Sequence, residues 1–156
     1  MHLLSAYYFR AHMYTIVPRH VREDMQWMTD TGTQAVVIGV LEQDLTAAVE
    51  NMQCIAAEAE RAGLQLFVTP ARWGSLVAGC PKVPSIFSSS EPDVWSLQAD
   101  GRPWLFFGPV ASVHHPRTYE MFVSSLEKLF SLVPVKGIVW DEPKALQQKD
   151  HSPAAG

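Results

Sequence analysis

A chain of 156 residues with 47% hydrophobic and 18% charged side chains is long enough to bury one core and too apolar to stay disordered. Its net charge of −4, with no basic run, argues against a cationic face for nucleic acid. No apolar run approaches the roughly 20 residues of a membrane span, and the opening residues lack a secretory pattern. One domain over residues 1–156, cytoplasmic and without a membrane partner, is the expectation.

The elements alternate between strand and helix. Residues 2–9 form a short apolar and aromatic run that reads as a first strand. Pro18 suits the first turn of a helix, Val21, Met25 and Met28 follow at helical spacing, and Gly32 stops it. Residues 34–41 (QAVVIGVL) are continuous and β-branched, the pattern of a strand buried on both faces. Thr46 can cap a second helix whose apolar line is Val49, Met52, Ile55, Ala56 and Ala59, with Cys54 a small buried residue beside it and Gly63 the terminator. Residues 64–69 make a third strand. No helix signal follows from Pro70 to His115, a connection far longer than usual. Inside it Asp100-Gly101, flanked by aromatic residues, predicts a hairpin with Trp95 and Trp104 pairing across it. A third helix begins at Pro116 and presents Tyr119, Phe122, Val123, Leu126, Leu129 and Phe130, and residues 136–140 form a fourth strand.

About four βα units therefore make an α/β chain with a parallel sheet and right-handed crossovers. Two architectures fit: a three-layer open parallel sheet, or a partial (βα)8 TIM barrel, here its N-terminal half, with the long loop and its hairpin after the third strand. The closing residues DHSPAAG resemble a helix start, with Asp150 or Ser152 as cap and Pro153 at the first position, which favours a barrel truncated at its C-terminus.

In either architecture ligands meet the carboxyl ends of the strands. The first strand delivers Arg10 and His12 there, the second Glu42 and Asp44, the third Arg72 and Trp73, and the fourth Asp141 and Glu142. Adjacent acids on a strand point to opposite faces, so Asp141 and Glu142 need not share a role. A carboxyl group kept protonated near neutral pH needs a partly desolvated place, and Trp140 beside the pair can supply one. Trp73 can stack on a sugar ring or anchor its loop, and Arg10 can bind ligand or pair with an acid. His114-His115 lacks a second pair at metal spacing, so no metal is expected, and no phosphate loop or nucleophile elbow occurs.

The stretch GIVWDEPK, residues 137–144, resembles the Asn-Glu-Pro stretch of retaining glycoside hydrolases with βα-barrel folds, the beta-galactosidase-like group among them. The segment PDVWSLQADGRPWLFFGPVASVHHPRTYEMF resembles the long loop after their third strand. The resemblance implies hydrolysis of O-glycosidic bonds with Glu142 as general acid/base, a carbohydrate substrate and no cofactor. Asp141 stands where those barrels carry the Asn that binds the sugar 2-hydroxyl, or is itself the functional acid. Arg10, His12, Glu42, Arg72 and Trp73 would hold the sugar. The retaining nucleophile belongs to a seventh strand, which this chain lacks, and retaining hydrolysis needs two carboxyl groups about 5–5.5 Å apart. The expectation is a half barrel with little or no turnover alone and self-association through an open sheet edge. The alternatives are a metal-dependent sugar isomerase-like barrel, with His12, Glu42 and Glu142 as ligands, and a non-catalytic carbohydrate-binding module.

Overall fold

The four strands form one parallel sheet in sequence order, β1 (Ser5–Tyr8), β2 (Ala35–Val40), β3 (Gln65–Pro70) and β4 (Gly137–Ile138). The computed structural model describes residues 3–8, 16–142 and 149–156. The helices are α1 (Pro18–Asp30), α2 (Val49–Arg61), α3 (Ile86–Ser90) and α4 (Pro116–Leu132). Right-handed crossovers between strands that follow one another in order put the long helices on one face of the sheet. Accordingly Val36, Ile38, Val40, Leu66 and Val68 share one core with Val21 and Met25 of α1, Met52 and Ile55 of α2, and Leu129 of α4. The result is a partial βα barrel, and the three-layer sheet with helices on both faces is not what forms.

The alternate residues of each strand face the other way, toward what would be a barrel interior. Ala35 and Val37 are buried there, Phe67 is half-buried, and Ser5 and Gln65 are exposed. A Cβ on Gly137 would lie 3.3 Å from the Phe67 ring, so β4 approaches β3 closely only because this position has no side chain.

Several expectations are corrected. Asp44 accepts a hydrogen bond from the Leu41 N–H at 2.8 Å and folds residues 42–45 into a 3-10 turn. The helix expected to start at Thr46 therefore starts at Val49, and Ala48 caps it without a side-chain bond. Cys54 is half-buried, with burial pushing its thiol pKa up. Tyr119 and Phe130 point away from the core, while Phe122 and Leu126 join Leu129 in it, because α4 buries a narrower stripe than six apolar positions imply.

The long connection contains α3, capped by the Ser85 hydroxyl accepting from the Ser88 N–H at 3.1 Å; five residues are too few for periodicity to reveal. Asp100-Gly101 does turn the chain, with Gln98 N–H donating to Arg102 O at 2.8 Å and Gly101 at φ +82. Only isolated antiparallel bridges form among the described residues, Leu97 to Pro103, Leu105 to Pro109 and Trp95 to Ala111, since Pro103 and Pro109 have no N–H for a ladder. Trp95 and Trp104 do not pair with each other. Their indole N–H groups donate to Ser88 O (2.6 Å) and Lys149 O (3.0 Å).

The segment after the Asp141-Glu142 pair returns to this loop. His151 N–H donates to Leu97 O (2.9 Å), and the Asp150 carboxylate accepts from the N–H groups of Leu97 (3.1 Å) and Ser152 (2.8 Å). Pro153–Ala155 forms a 3-10 turn rather than the start of an α-helix. Burial pushes the Asp150 carboxyl pKa up, but donors from Ser112, Ser152 and Leu97 outweigh it and hold the pKa below the usual carboxylate range. A depressed folded pKa means the tether is fully effective above the unfolded value of about 4 and is lost as pH falls through the folded one. Hydrogen exchange at the Leu97 and His151 amides is expected to accelerate below about pH 4 ahead of the β2 amides; simultaneous loss of all three would contradict a local tether.

Candidate active site

Four of the candidate residues follow the carboxyl ends of the strands. Glu42 follows β2 by two residues, Arg72 follows β3 by two, and Asp141 and Glu142 follow β4 by three and four. Arg10 and His12 fall outside the described residues. Two backbone bonds stitch the end of β3 to the acids: Arg72 N–H donates to Ala78 O, and Ala78 N–H donates to Asp141 O, each at 3.1 Å.

The turn that permits this depends on Gly79. Its φ is +121, and a Cβ there would lie 2.7 Å from the Cβ of Ala71. Gly79→Ala is therefore expected to destabilise the protein by about 2 kcal/mol and shift the 72–78 loop off Asp141. A melting temperature within a degree of the parent would show that the loop has room after all.

Arg72 is buried, 4% exposed, and adopts a left-handed backbone at φ +64. Its guanidinium carbon lies 4.8 Å from the Phe106 ring centre and 4.6 Å from that of Phe107. Nε reaches Pro81 O only at 3.5 Å, and Nη1 has no hydrogen-bond partner. Burial pulls the Arg72 pKa down, while Cys80 and Asp141 raise it. Arginine remains charged under such pressure, so Arg72 keeps a buried positive charge at this edge of the sheet. The Phe106-Phe107 clamp was not recognised from sequence; its signal is Phe-Phe-Gly in a tight turn, where Phe107 has φ +56 and Gly108 φ +139.

Glu142 is exposed and held at φ +37, and Asp141 beside it is half-buried. Non-glycine residues in that region cost about 1–3 kcal/mol, and such strain collects at functional positions. Of the acids on this edge, Glu142 alone combines exposure with strain.

Two expected sugar contacts are placed otherwise. Trp73 is 0% exposed, its Nε1 donates to Val40 O at 2.8 Å, and its ring packs 5.8 Å from that of Phe122. It anchors the loop and offers no face to a sugar. Glu42 spends its carboxylate on Gly74 N–H (2.9 Å), Ser85 Oγ (2.6 Å) and Phe87 N–H (2.8 Å), which fastens the end of β2 to the long loop. Among the described residues no group of three or more His, Cys, Asp or Glu is placed to hold a metal ion. His115 instead accepts from the Arg117 N–H at 3.2 Å and caps α4. No helix of the described residues is long and apolar enough to cross a membrane.

No protein-family profile and no curated protein matches the sequence. Solved structures do match. A GH36 alpha-galactosidase from Geobacillus stearothermophilus aligns over 98% of this chain and 22% of its own, with a TM-score of 0.69 at 9% identity. A second from the same organism, in complex with raffinose, aligns over 98% and 23% with a TM-score of 0.67 at 11% identity. A GH5_18 protein from Bifidobacterium longum aligns over 99% and 37% with a TM-score of 0.57 at 13% identity. The fold shared with these structures is that of part of a βα barrel. The chain spans about a fifth of the length of the alpha-galactosidases and just over a third of the GH5_18 protein.

Proposed function

We propose that this chain is the first four βα units of a glycoside hydrolase and that Glu142 is its general acid/base. The observation that carries the reading is the position of Asp141-Glu142 at the carboxyl end of β4, in a sheet whose fold is shared with glycoside hydrolases. A protonated Glu142 donates to the glycosidic oxygen as the bond from the anomeric carbon breaks, and a water supplies the replacing oxygen. Asp141, in the field of Arg72, orients the sugar hydroxyls. Galactosides are the first substrates to try, because the sequence resembles the beta-galactosidase-like group and the fold is shared with alpha-galactosidases. One acid is half of the machinery, so a single copy turns over little.

The test is hydrolysis of a panel of nitrophenyl α- and β-glycosides by the purified chain at high concentration, with Glu142→Gln alongside. Turnover of at least one sugar, lost in the variant, is expected. Sugar binding without cleavage would favour a non-catalytic carbohydrate-binding module. Tight divalent-metal binding would favour the isomerase-like barrel, against which the triple hydrogen bonding of Glu42 already argues.

A further inference from the structure

A small cavity of about 50 Å³ lies within the long loop, walled mainly by apolar groups such as Leu76, Val110 and Ala111. Ser96, His114 and Asp150 are the polar side chains that line it. A space of that size admits a small ion or a few waters and nothing larger. Asp150 Oδ1 is already used, accepting from the N–H groups of Leu97 (3.1 Å) and Ser152 (2.8 Å). Its Oδ2 is buried and has no hydrogen-bond partner in the protein. Other buried side-chain atoms among the described residues share that condition, on Thr69, Arg72, Ser75, Ser88 and Thr118, but these are hydroxyls and one guanidinium nitrogen. Asp150 Oδ2 alone belongs to an anion. A buried carboxylate oxygen without a partner is costly, and in a native protein it calls for a bound water or ion.

No cationic side chain answers this charge. Burial opposes ionisation of Asp150, and the hydroxyls of Ser112 and Ser152 with the N–H groups of Ser152 and Leu97 sustain it; no Lys or Arg is among them. Ser96 and Ser112 are 6% and 1% exposed, so their hydroxyl oxygens are sheltered from water with the carboxylate.

We propose that this cavity is a binding site for a monovalent alkali cation, held by Asp150 Oδ2 and the Ser96 hydroxyl. Oxygen donors of this kind suit a hard cation rather than a soft one. One carboxylate balances one positive charge, whereas calcium gathers about six to eight oxygens, several of them charged. The consequence is mechanical. Residues 149–152 follow the Asp141-Glu142 pair in the chain and return to the long loop through Asp150 and through His151 N–H on Leu97 O. A cation on Oδ2 offsets the buried charge and clamps that return. The clamp operates whether or not the chain cleaves glycosides.

Hydrogen exchange and thermal melting of the full chain near neutral pH, in sodium, potassium or choline chloride at equal ionic strength, test the clamp. Choline is too large to enter. With the cation at ten times its dissociation constant, the Leu97 and His151 amides are expected to exchange roughly tenfold more slowly than in choline chloride, and the melting temperature to rise by about 4 °C. Asp150→Asn keeps an oxygen for the two N–H donors, so it is expected to fold and to lose the difference between the salts. Ser96→Ala serves if Asp150→Asn fails to fold, and is expected to need more salt for the same protection. Equal exchange and melting of the parent in all the salts overturns the proposal and assigns the cavity to water. A salt difference that survives in Asp150→Asn also overturns it. Protection by micromolar calcium beyond that of sodium and potassium overturns the assignment to a monovalent ion.

Discussion

Glu142→Gln is expected to slow hydrolysis of an alkyl glycoside by about a thousandfold, the usual weight of a positioned general acid. The loss should shrink to about tenfold for a dinitrophenyl glycoside, whose leaving group needs no proton. Asp141→Asn should behave differently. It restores the Asn that the resembled motif carries at this position, so activity should persist within about tenfold and KM should move more than kcat. If Asp141→Asn shows the leaving-group-dependent loss and Glu142→Gln does not, the two acids exchange roles. The distinction is measurable because Asp141 and Glu142 are adjacent yet differently placed: Asp141 is half-buried, whereas Glu142 is exposed and held at φ +37.

The second large effect is on stability. Glu42→Ala removes the acceptor for Gly74 N–H, Ser85 Oγ and Phe87 N–H together. Hydrogen bonds to a charged acceptor are worth more than neutral ones, and partial solvent exposure and non-additivity reduce the sum; a loss of about 3 kcal/mol follows. For a domain of this size that lowers the melting temperature by roughly 10 °C. Glu42→Gln should recover part of it, since an amide oxygen can still accept while its NH2 group faces a donor. A Glu42→Ala protein that melts with the parent yet loses ligand binding would return Glu42 to the sugar site and contradict the structural role.

The scaffold was legible because burial writes itself into sequence locally. The runs over β2 and β3 are continuous and apolar, and α1 and α2 carry Val21, Met25 and Met28, and Met52, Ile55 and Ala59, on one face each. The location of Asp141-Glu142 followed from the end of a strand, which is equally local. Contacts between distant segments were not legible. Glu42 reads as a free acid on a strand end until residues 74, 85 and 87 fold back onto it, and Arg72 reads as an exposed cation until Phe106 and Phe107 close over it. Trp73 has the local setting of a sugar platform, but its side chain turns inward to Val40 O. For Glu42 and Arg72 the deciding partner comes from the long loop, and Trp73 lies in that loop itself; its path is set by glycine turns, single bridges and the Asp150 tether rather than by any periodic pattern.

The pH dependence of kcat/KM on an alkyl glycoside, measured for the parent and for Glu142→Gln, tests the role of Glu142 most directly. A general acid must be protonated to act, so the parent rate should fall as pH rises through the titration of that acid, and this alkaline limb should be absent from the variant. The same alkaline limb in both proteins, at similar rates, would show that the proton comes from another group.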